Sequence, residues 1–216
     1  MKLAVIIPYR DRVSHLREFI PLIRQELQSQ EIEFEIFLVE QSVAGAFNKG
    51  RCCNVGFALA SGFDWFCFHD VDLVPIEKSD YSWPTWPTQL VHASSKHDYQ
   101  VFDDVNLGGV CLFQAQHYQL INGFSNNFWG WGCEDNQLSW RCTAAGLKIE
   151  KRNGIYRHLP DERPADMSRY EENLAYLSDP LEYANDGLNS LTYELLEHTK
   201  GEDYTRILVS FDDFPA

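Results

Sequence analysis

Apolar and polar positions alternate along the first third of the chain in blocks with two different periods. Residues 3–8 form a continuous apolar run, typical of a strand buried on both faces of a sheet. Residues 13–30 then carry apolar side chains at helical spacing. The same succession of strand and helix follows at 34–39 and 48–60, and 65–68 predicts a third strand. Strands that alternate with helices predict an α/β fold with a mostly parallel central sheet flanked by helices.

The pattern is less regular in the rest of the chain. Between residues 76 and 105 the periodicity fails around prolines and tryptophans, so we predict a long functional loop there. Beyond it we predict a strand at 107–113, a helix at 115–121, a Gly/Trp-rich loop at 122–132, a helix at 135–145, a strand at 148–158, an irregular acidic stretch to about residue 185, a helix, and a strand at 205–210. Without repeats or a linker, we expect residues 1–216 to form one domain.

The composition restricts the possible functions. Lys and Arg number 18 against 32 Asp and Glu, so the formal net charge is −14. Such an acidic surface argues against partners such as nucleic acid or anionic lipid, which require positive side chains. No apolar run is long enough for a transmembrane helix. The six cysteines lie mostly in apolar stretches without C-x-x-C spacing, which favours buried free thiols and a cytoplasmic location.

Two carboxylates follow the third predicted strand, where α/β folds collect their ligands. Asp70 and Asp72 stand at positions i and i+2 of an extended segment, so both side chains project to the same side. Their hard oxygen atoms suit Mn²⁺ or Mg²⁺ that bridges a nucleotide diphosphate. A turn with helix-capping aspartates is the alternative, and the motif alone does not separate the two.

A second cluster, at residues 126–136, combines tryptophans, glycines and acids. Trp129 and Trp131 are spaced by glycines that permit close backbone approach, and an exposed indole is a platform for the C–H face of a sugar ring. Glu134 and Asp135 follow directly and indicate chemistry on hydroxyl groups. The alternative interpretation places both tryptophans in the core and assigns the acids to a helix N-terminus, a role that does not exclude catalysis.

Two further candidates lie at the ends of predicted strands. Arg10 and Arg12 follow the first strand and precede a helix N-terminus, an arrangement that suits a phosphate or a nucleotide. The other interpretation of these arginines is a solvated turn. His158 ends the strand at 148–158 and suits either a metal ligand or a structural histidine.

Taken together and in this order, the motifs resemble the β-1,4-galactosyltransferase family, which consists of inverting, metal-dependent enzymes with a GT-A fold. The resemblance covers nearly the whole chain and is carried by the segments at 7–16, 47–57, 70–75, 108–110, 121–135, 157–158 and 186–193. It implies a single GT-A catalytic domain with a Rossmann-like central sheet.

The resemblance also implies roles for individual residues. The residues expected to border the UDP-sugar donor are Pro8, Arg10, Arg12, Phe47, Lys49, Asp70, Val71, Lys96, Asn106, Trp131 and Gly132. Those expected to ligate Mn²⁺, or Mg²⁺ in its place, are Asp72 and His158. Those expected to hold the acceptor are Glu134, Asp135, Arg169 and Tyr170, with Asp135 as the general base. Trp131 is expected on a hinged loop that closes over the donor.

This chain departs from the family pattern at the metal site. Ile155 stands where many relatives have a methionine ligand, and Pro160 stands where others have a second histidine. Asp72 and His158 therefore have no obvious third protein ligand. Either water or Asp161 completes the coordination shell, or the metal is held weakly, and we favour water.

Asn106 is the most informative difference from galactose-specific relatives, which carry Tyr-Phe where this chain has Asn106 and Leu107. A smaller residue leaves space for an N-acetyl group, so the resemblance admits both UDP-galactose and UDP-GalNAc. The expected reaction is β1,4 transfer to an acceptor sugar, GlcNAc being one candidate and a lipid-linked saccharide another. The alternatives are a non-catalytic saccharide-binding protein and a GT-A transferase of a glycosaminoglycan-like polymer.

The family's membrane anchor, stem and disulfide cysteines have no counterpart in this sequence. From this the resemblance implies a cytoplasmic enzyme of polysaccharide or glycoconjugate biosynthesis.

Overall fold

The computed structural model describes residues 1–42, 45–77, 79–101, 106–160, 165–177 and 180–211. The strands are β1 (Lys2–Tyr9), β2 (Glu33–Gln41), β3 (Trp65–His69), β4 (Leu73–Glu77), β5 (Thr88–Ser94), β6 (Val110–Gln114), β7 (Glu150–His158), β8 (Glu194–Lys200) and β9 (Thr205–Ser210). The α-helices are α1 (Val13–Ser29), α2 (Lys49–Leu59), α3 (Ala115–Leu120), α4 (Glu134–Ala144) and α5 (Tyr170–Leu177). Short 3₁₀ turns lie at Ser95–His97, Pro180–Asn185 and Leu188–Ser190.

Within these residues the strands form one sheet in the order β4-β7-β5-β6-β3-β1-β2-β9-β8. Its central strands β3, β1, β2 and β9 run parallel, and antiparallel partners extend the sheet on both sides. The predicted α/β class is confirmed, with a sheet that is parallel at its centre and mixed towards its edges. The carboxyl ends of β1 and β3 lie at the same edge, which brings the segments that follow them together.

The first strand is buried on both faces, as its unbroken apolar sequence predicts. Leu3, Val5 and Ile7 pack in the same cluster as the buried face of α1. Ala4 and Ile6 pack in the opposite cluster, together with the buried face of α2. The central sheet is thus covered by helices on both faces, and the polar residues that follow its strands collect at its carboxyl edge.

The segment at 76–105, predicted as a long loop, contains the end of β4, all of β5 and a 3₁₀ turn. The prediction that it lacks strands was wrong because β5 is defined by its neighbours. It pairs antiparallel with β6 and parallel with β7, and both register shifts lie in its pairing with β7. Pairing of this kind stabilises a strand whose own sequence shows little alternation.

Two predictions near the C-terminus were also wrong. The acidic stretch predicted as irregular contains α5, and the helix predicted after residue 185 is strand β8. Residues 194–197, Glu-Leu-Leu-Glu, have high helix propensity, but antiparallel pairing with β9 outweighs that local preference.

The cysteine prediction is confirmed, because all six are buried free thiols. In the described ranges no helix combines the length and apolar character needed to cross a bilayer.

Candidate active site

The Asp70–Asp72 motif forms the turn between β3 and β4. The N–H of Asp70 donates to the carbonyl of Gly109 at 2.8 Å, and the N–H of Leu73 donates back to the carbonyl of Asp70 at 3.2 Å. The side chain of Val71 is buried in the core, whereas those of Asp70 and Asp72 remain partly exposed, by 30% and 24%. The turn therefore presents both carboxylates at the edge of the sheet.

Asp72 faces His158 because β4 pairs antiparallel with β7 and places Leu73 opposite His158. The Nε2 atom of His158 lies 3.6 Å from Oδ2 of Asp72. Burial alone would raise the pKa of the Asp72 carboxyl, but the adjacent His158 lowers it below its usual value. Asp72 is therefore available as an anionic ligand.

This pair fits a divalent metal ion. A separation of 3.6 Å is shorter than two metal–ligand bonds of about 2.1 Å placed end to end, so one ion can contact both atoms. A carboxylate oxygen with an imidazole nitrogen is a donor set that suits Mn²⁺. Among the described residues no group of three or more His, Cys, Asp or Glu side chains is placed to hold a metal. Asp161, the candidate third ligand, lies outside the described residues.

Lys49, the first residue of α2, connects three carboxylates. Its ammonium nitrogen lies 3.0 Å from Oδ1 of Asp135, 3.2 Å from Oδ1 of Asp70 and 3.4 Å from Oε1 of Glu134. Burial alone would lower the pKa of Lys49, but the three carboxylates raise it well above its usual value. Lys49 is thus a fixed positive charge between the Asp70 turn and the first turn of α4.

Asp135 and Asp70 have unusually high pKa values. Burial raises the pKa of the Asp135 carboxyl to about 8, against the opposing charge of Lys49. Burial likewise raises the pKa of Asp70 to about 6, again opposed by Lys49. A carboxyl whose pKa is raised towards neutral pH is suited to exchange a proton in catalysis.

The segment that contains Asn106 packs against Asp135. A Cβ atom on Gly108 would lie 2.9 Å from Oδ2 of Asp135, so the backbone runs directly beside that carboxylate. The side-chain oxygen of Asn106 accepts a hydrogen bond from the Gly108 N–H at 3.1 Å. The Leu107 N–H donates to Oγ of Ser139 on α4 at 3.0 Å. Residues 106–108 therefore form one wall beside the start of α4.

The predicted donor residues after β1 and before α2 come together. The Arg10 guanidinium lies over the Phe47 ring, 5.4 Å from its centroid, and donates to the carbonyl of Gly45 at 2.9 Å. The charge of Arg12 contributes to the lowered pKa of Asp72. Pro8 is buried within β1, at the end nearest to these arginines.

Lys96 lies on the 3₁₀ turn that follows β5, and its side chain is exposed. Its neighbour Ser95 accepts a hydrogen bond from the backbone N–H of His158 at 2.9 Å. The structure thus places Lys96 next to the strand end that carries the histidine.

The two tryptophans of the glycine-rich loop have different environments. Trp129 is buried beneath the Arg51 guanidinium, which lies 5.0 Å from its ring centroid, whereas Trp131 is 51% exposed. Tyr170 lies beside Trp131, with 5.8 Å between ring centroids. A Cβ atom on Gly132, where φ is +103°, would lie 3.1 Å from that same tyrosine ring. One tryptophan is therefore core, and the other presents an open indole face.

The start of α5 completes this side of the site. Arg169, which precedes the helix, forms an ion pair with Glu172 within it. The side chain of Asn173 donates to the carbonyl of Trp129 at 3.0 Å. These contacts fix Arg169 and Tyr170 next to the loop that carries Trp131.

The structure also contains a buried hydrogen-bond network that the sequence analysis did not predict. Arg141 on α4 is fully buried, and its guanidinium lies 3.0 Å from Oδ2 of Asp186. The other oxygen of Asp186 accepts from the N–H of Asn126 at 2.8 Å. The segment at 186–193 carries part of the family resemblance, and this is the sequence signal that could have indicated the network.

Two family models match the chain. The model described as the N-terminal region of glycosyl transferase group 7 matches residues 1–82, and the model described as the N-terminal domain of galactosyltransferase matches residues 88–162. Beta-1,4-galactosyltransferase 1 of Homo sapiens is 32% identical, over 96% of this chain and 54% of that protein. Beta-1,4-galactosyltransferase 7 of Homo sapiens is 34% identical, over 92% of this chain and 63% of that protein. The chain therefore spans between half and two thirds of the length of these relatives.

Solved structures agree with the sequence matches. The catalytic domain of Drosophila beta-1,4-galactosyltransferase 7, in complex with xylobiose, superimposes with a TM-score of 0.87 at 27% identity, over 98% of this chain and 94% of that chain. A mutant of the same enzyme in complex with manganese, UDP-Gal and xylobiose gives a TM-score of 0.79 at the same identity and coverage. The predicted GT-A fold is confirmed. The chain belongs to the β-1,4-galactosyltransferase family, glycosyltransferase family 7.

Proposed function

We propose that this chain is an inverting, metal-dependent glycosyltransferase that moves galactose or N-acetylgalactosamine from a UDP-sugar to a hydroxyl of an acceptor sugar, in a β1,4 linkage. The observation that carries the proposal is the position of Asp135, a carboxyl that is 20% exposed, has a raised pKa and lies against Lys49 at the same edge as the Asp72–His158 pair. The Drosophila relative that binds manganese, UDP-Gal and xylobiose supports the same ligand classes here.

In this mechanism the acceptor lies between the exposed face of Trp131 and the start of α4. Glu134 holds an acceptor hydroxyl, and Asp135 takes the proton from the hydroxyl that attacks. The acceptor oxygen bonds to the anomeric carbon on the face opposite the diphosphate. The bond between that carbon and the diphosphate oxygen breaks, so UDP leaves and the configuration inverts. Mn²⁺ held by Asp72 and His158 would neutralise charge on the diphosphate.

Lys49 has a second role in this proposal besides bordering the donor. Three carboxylates within 3.4 Å of one ammonium would repel one another strongly without it. The cation permits Glu134 and Asp135 to lie side by side close to Asp70. It also keeps the pKa of Asp135 lower than burial alone would make it.

The acceptor-dependent release of UDP tests the proposed function. We would measure it with Mn²⁺ for UDP-galactose and UDP-GalNAc, each with GlcNAc, glucose and xylose. We expect at least one acceptor to accelerate release, EDTA to stop it and added Mn²⁺ to restore it. Faster release from UDP-GalNAc would assign the space beside Asn106 to an N-acetyl group, and faster release from UDP-galactose would mean that another residue fills it. If no combination of donor and acceptor gave acceptor-dependent release of UDP, the proposal would be contradicted.

Lys49→Met should move the pH dependence of kcat/KM. Asp135 acts as a base only when it is ionised, so activity rises as the pH passes its pKa, which in the wild type lies well above the ordinary carboxyl range. Lys49 lowers that pKa, and its removal should shift the rise to higher pH by roughly 1 to 3 units. Lys49→Arg, which retains the charge, should shift it much less. Superimposable profiles for Lys49→Met and the wild type would exclude this role.

We also propose that the chain forms one catalytic domain, because strands from both ends of the sequence pair in the same sheet. A cytoplasmic setting in polysaccharide or glycoconjugate synthesis, with a free or lipid-linked saccharide as acceptor, is supported by the six buried free thiols, which a reducing compartment preserves. Six reactive thiols after denaturation without reductant would agree with this setting, and fewer would contradict it.

A further inference from the structure

His69, the last residue of β3, is a buried titratable side chain that the proposed mechanism does not use. It is fully buried and stands directly before the Asp70–Asp72 turn. Its ring packs edge-on against Phe19 of α1, with 4.8 Å between ring centroids, and lies nearly parallel to the Tyr81 ring at 6.0 Å. A side chain in this position cannot touch a substrate, so any part it has in the reaction acts through its neighbours.

Both ring nitrogens of His69 are within hydrogen-bond distance of a partner. Nδ1 lies 2.9 Å from the carbonyl oxygen of Asp70, and Nε2 lies 3.0 Å from the hydroxyl of Tyr81. A carbonyl oxygen can only accept, so Nδ1 carries the proton. Burial lowers the pKa of His69 to about 4, so the ring is neutral at physiological pH. Nε2 therefore accepts a hydrogen bond from the Tyr81 hydroxyl.

Tyr81 extends this arrangement to β7. While its hydroxyl donates to His69, its oxygen accepts from the hydroxyl of Tyr156 at 3.2 Å. The carbonyl of Tyr81 accepts from the indole N–H of Trp65 at 3.1 Å, which fixes the backbone at this point. The three side chains of the chain are fully buried, so a partner lost from it would leave a polar group unsatisfied in the core. One chain of hydrogen bonds therefore runs from Tyr156 to the carbonyl of Asp70.

The two ends of this chain of hydrogen bonds lie beside the two proposed metal ligands. The Asp70 carbonyl also accepts from the Leu73 N–H at 3.2 Å and so closes the turn that presents Asp72. Tyr156 stands two residues before His158 on β7, so the two side chains project from the same face of that strand. The hydrogen bonds thus connect the turn that carries one ligand with the strand that carries the other.

We propose that His69 is a positioning residue that, through the Tyr81 and Tyr156 hydroxyls, fixes the geometry of the metal site. The separation of 3.6 Å between Asp72 and His158 is then set before the ion binds, so less binding free energy is lost in ordering the ligands. The inference rests on the proposed function, from which it takes the two ligands, and it adds the residues that orient them.

The affinity for Mn²⁺ alone tests this role without turnover, and the loss of the electron paramagnetic resonance signal of free Mn²⁺ measures it. His69→Phe removes both hydrogen bonds but keeps an aromatic ring, and it should weaken Mn²⁺ binding roughly 10-fold, the low end of the range for outer-shell partners. Tyr81→Phe removes one hydroxyl and should weaken binding roughly 2- to 5-fold. His69→Asn should recover part of the loss, because its amide nitrogen can still donate to the Asp70 carbonyl.

Tyr118→Phe is the matched control for Tyr81→Phe. Tyr118 is also fully buried, and its hydroxyl donates to Oδ1 of Asn54 at 2.6 Å, in the core cluster on the opposite face of the sheet. The control should lower the free energy of unfolding, as Tyr81→Phe does, because each substitution removes one buried hydrogen bond. It should leave the affinity for Mn²⁺ unchanged.

The Mn²⁺ dependence of UDP release separates positioning from a purely structural role. The variants of His69 and Tyr81 should need more Mn²⁺ for half-maximal activity, whereas kcat at saturating Mn²⁺ should stay within a few-fold of the wild type. Tyr81→Phe keeps the ring and decides the question if His69→Phe does not fold. Equal affinity for Mn²⁺ in Tyr81→Phe and the wild type would overturn the inference and leave the proposed function intact. A wild type that binds no Mn²⁺ would overturn both.

Discussion

Asp135→Asn should lower kcat by roughly 100- to 10,000-fold, the range expected when a general base is removed. Asparagine has nearly the same shape, and its amide oxygen can still accept from Lys49, which lies 3.0 Å from both carboxylate oxygens in the wild type. The amide cannot accept the proton of the attacking hydroxyl. The affinity for the UDP-sugar should remain close to the wild-type value, because the substitution leaves Arg10, Phe47 and the Asp72–His158 pair in place.

Acceptor-dependent UDP release gives kcat for Asp135→Asn, and calorimetry with Mn²⁺ gives the affinity for the donor. Asp203→Asn is the control, since Asp203 is 57% exposed and pairs with Arg24 away from the site. It should retain full turnover. If Asp135→Asn keeps turnover within tenfold of the wild type, another group accepts the proton. A saccharide-binding protein without enzymatic activity would differ from both outcomes, since its wild type would show no turnover.

Much of the site could be predicted because its parts lie at the ends of regular elements. The run at 3–8 and the run at 65–68 predict neighbouring parallel strands, so Arg10 and Asp70 were expected at one edge of the sheet. The Glu134–Asp135 pair was expected near a helix N-terminus, and it forms the first turn of α4.

The position of Lys49 among three carboxylates could not be predicted in the same way. The resemblance placed Lys49 beside the donor, but its contacts come from the turn after β3 and the first turn of α4, more than 20 and 80 residues away along the chain. Strand β8 shows the same limit for the fold. Its local sequence favours a helix, and only its partner β9 defines it as a strand.

Arg141 shows how far a charge can depart from its usual environment. An arginine in the middle of a polar helix is ordinarily expected at the surface, yet this one is fully buried and forms an ion pair with Asp186. Its donors reach the carbonyls of Gly123 and Asp186 at 3.0 and 2.8 Å, the amide oxygen of Gln137 at 3.0 Å and the carboxylate of Asp186. These partners are brought together by tertiary structure, and no local sequence pattern indicates them.

Asp186→Asn should therefore lower the free energy of unfolding by about 3–5 kcal/mol, the cost of leaving one member of a buried ion pair without its partner. The Asn126 N–H could still donate a hydrogen bond to the side-chain oxygen of the asparagine at position 186. The amide nitrogen would then face the Arg141 guanidinium, so two donors would meet where an ion pair at 3.0 Å now lies. The hydroxyl of Tyr176, 3.2 Å from Oδ2, would lose its acceptor as well.

Urea denaturation measures this change, and Glu18→Gln provides the control. Glu18 pairs with Arg157 at 2.6 Å, but both side chains are at least 40% exposed, so this substitution should cost no more than about 1 kcal/mol. If Asp186→Asn and Glu18→Gln lowered the free energy of unfolding by similar amounts, burial would add nothing to the stabilisation by the Arg141–Asp186 pair. Combining Asp186→Asn with Arg141→Met should cost less than the sum of the two separate losses, because the double variant leaves no unpaired charge in the core.

The Arg141–Asp186 ion pair should also affect the active site, through Asn126. Its N–H is held by Asp186, and its carbonyl accepts from the side chains of Asn48 at 2.8 Å and Arg51 at 2.9 Å, at the start of α2. Lys49 lies between those two residues. In Asp186→Asn molecules that remain folded, Asn126 would be held less firmly, so the Lys49 ammonium would shift away from Asp70, Glu134 and Asp135. Turnover per folded molecule should therefore fall below the wild-type value.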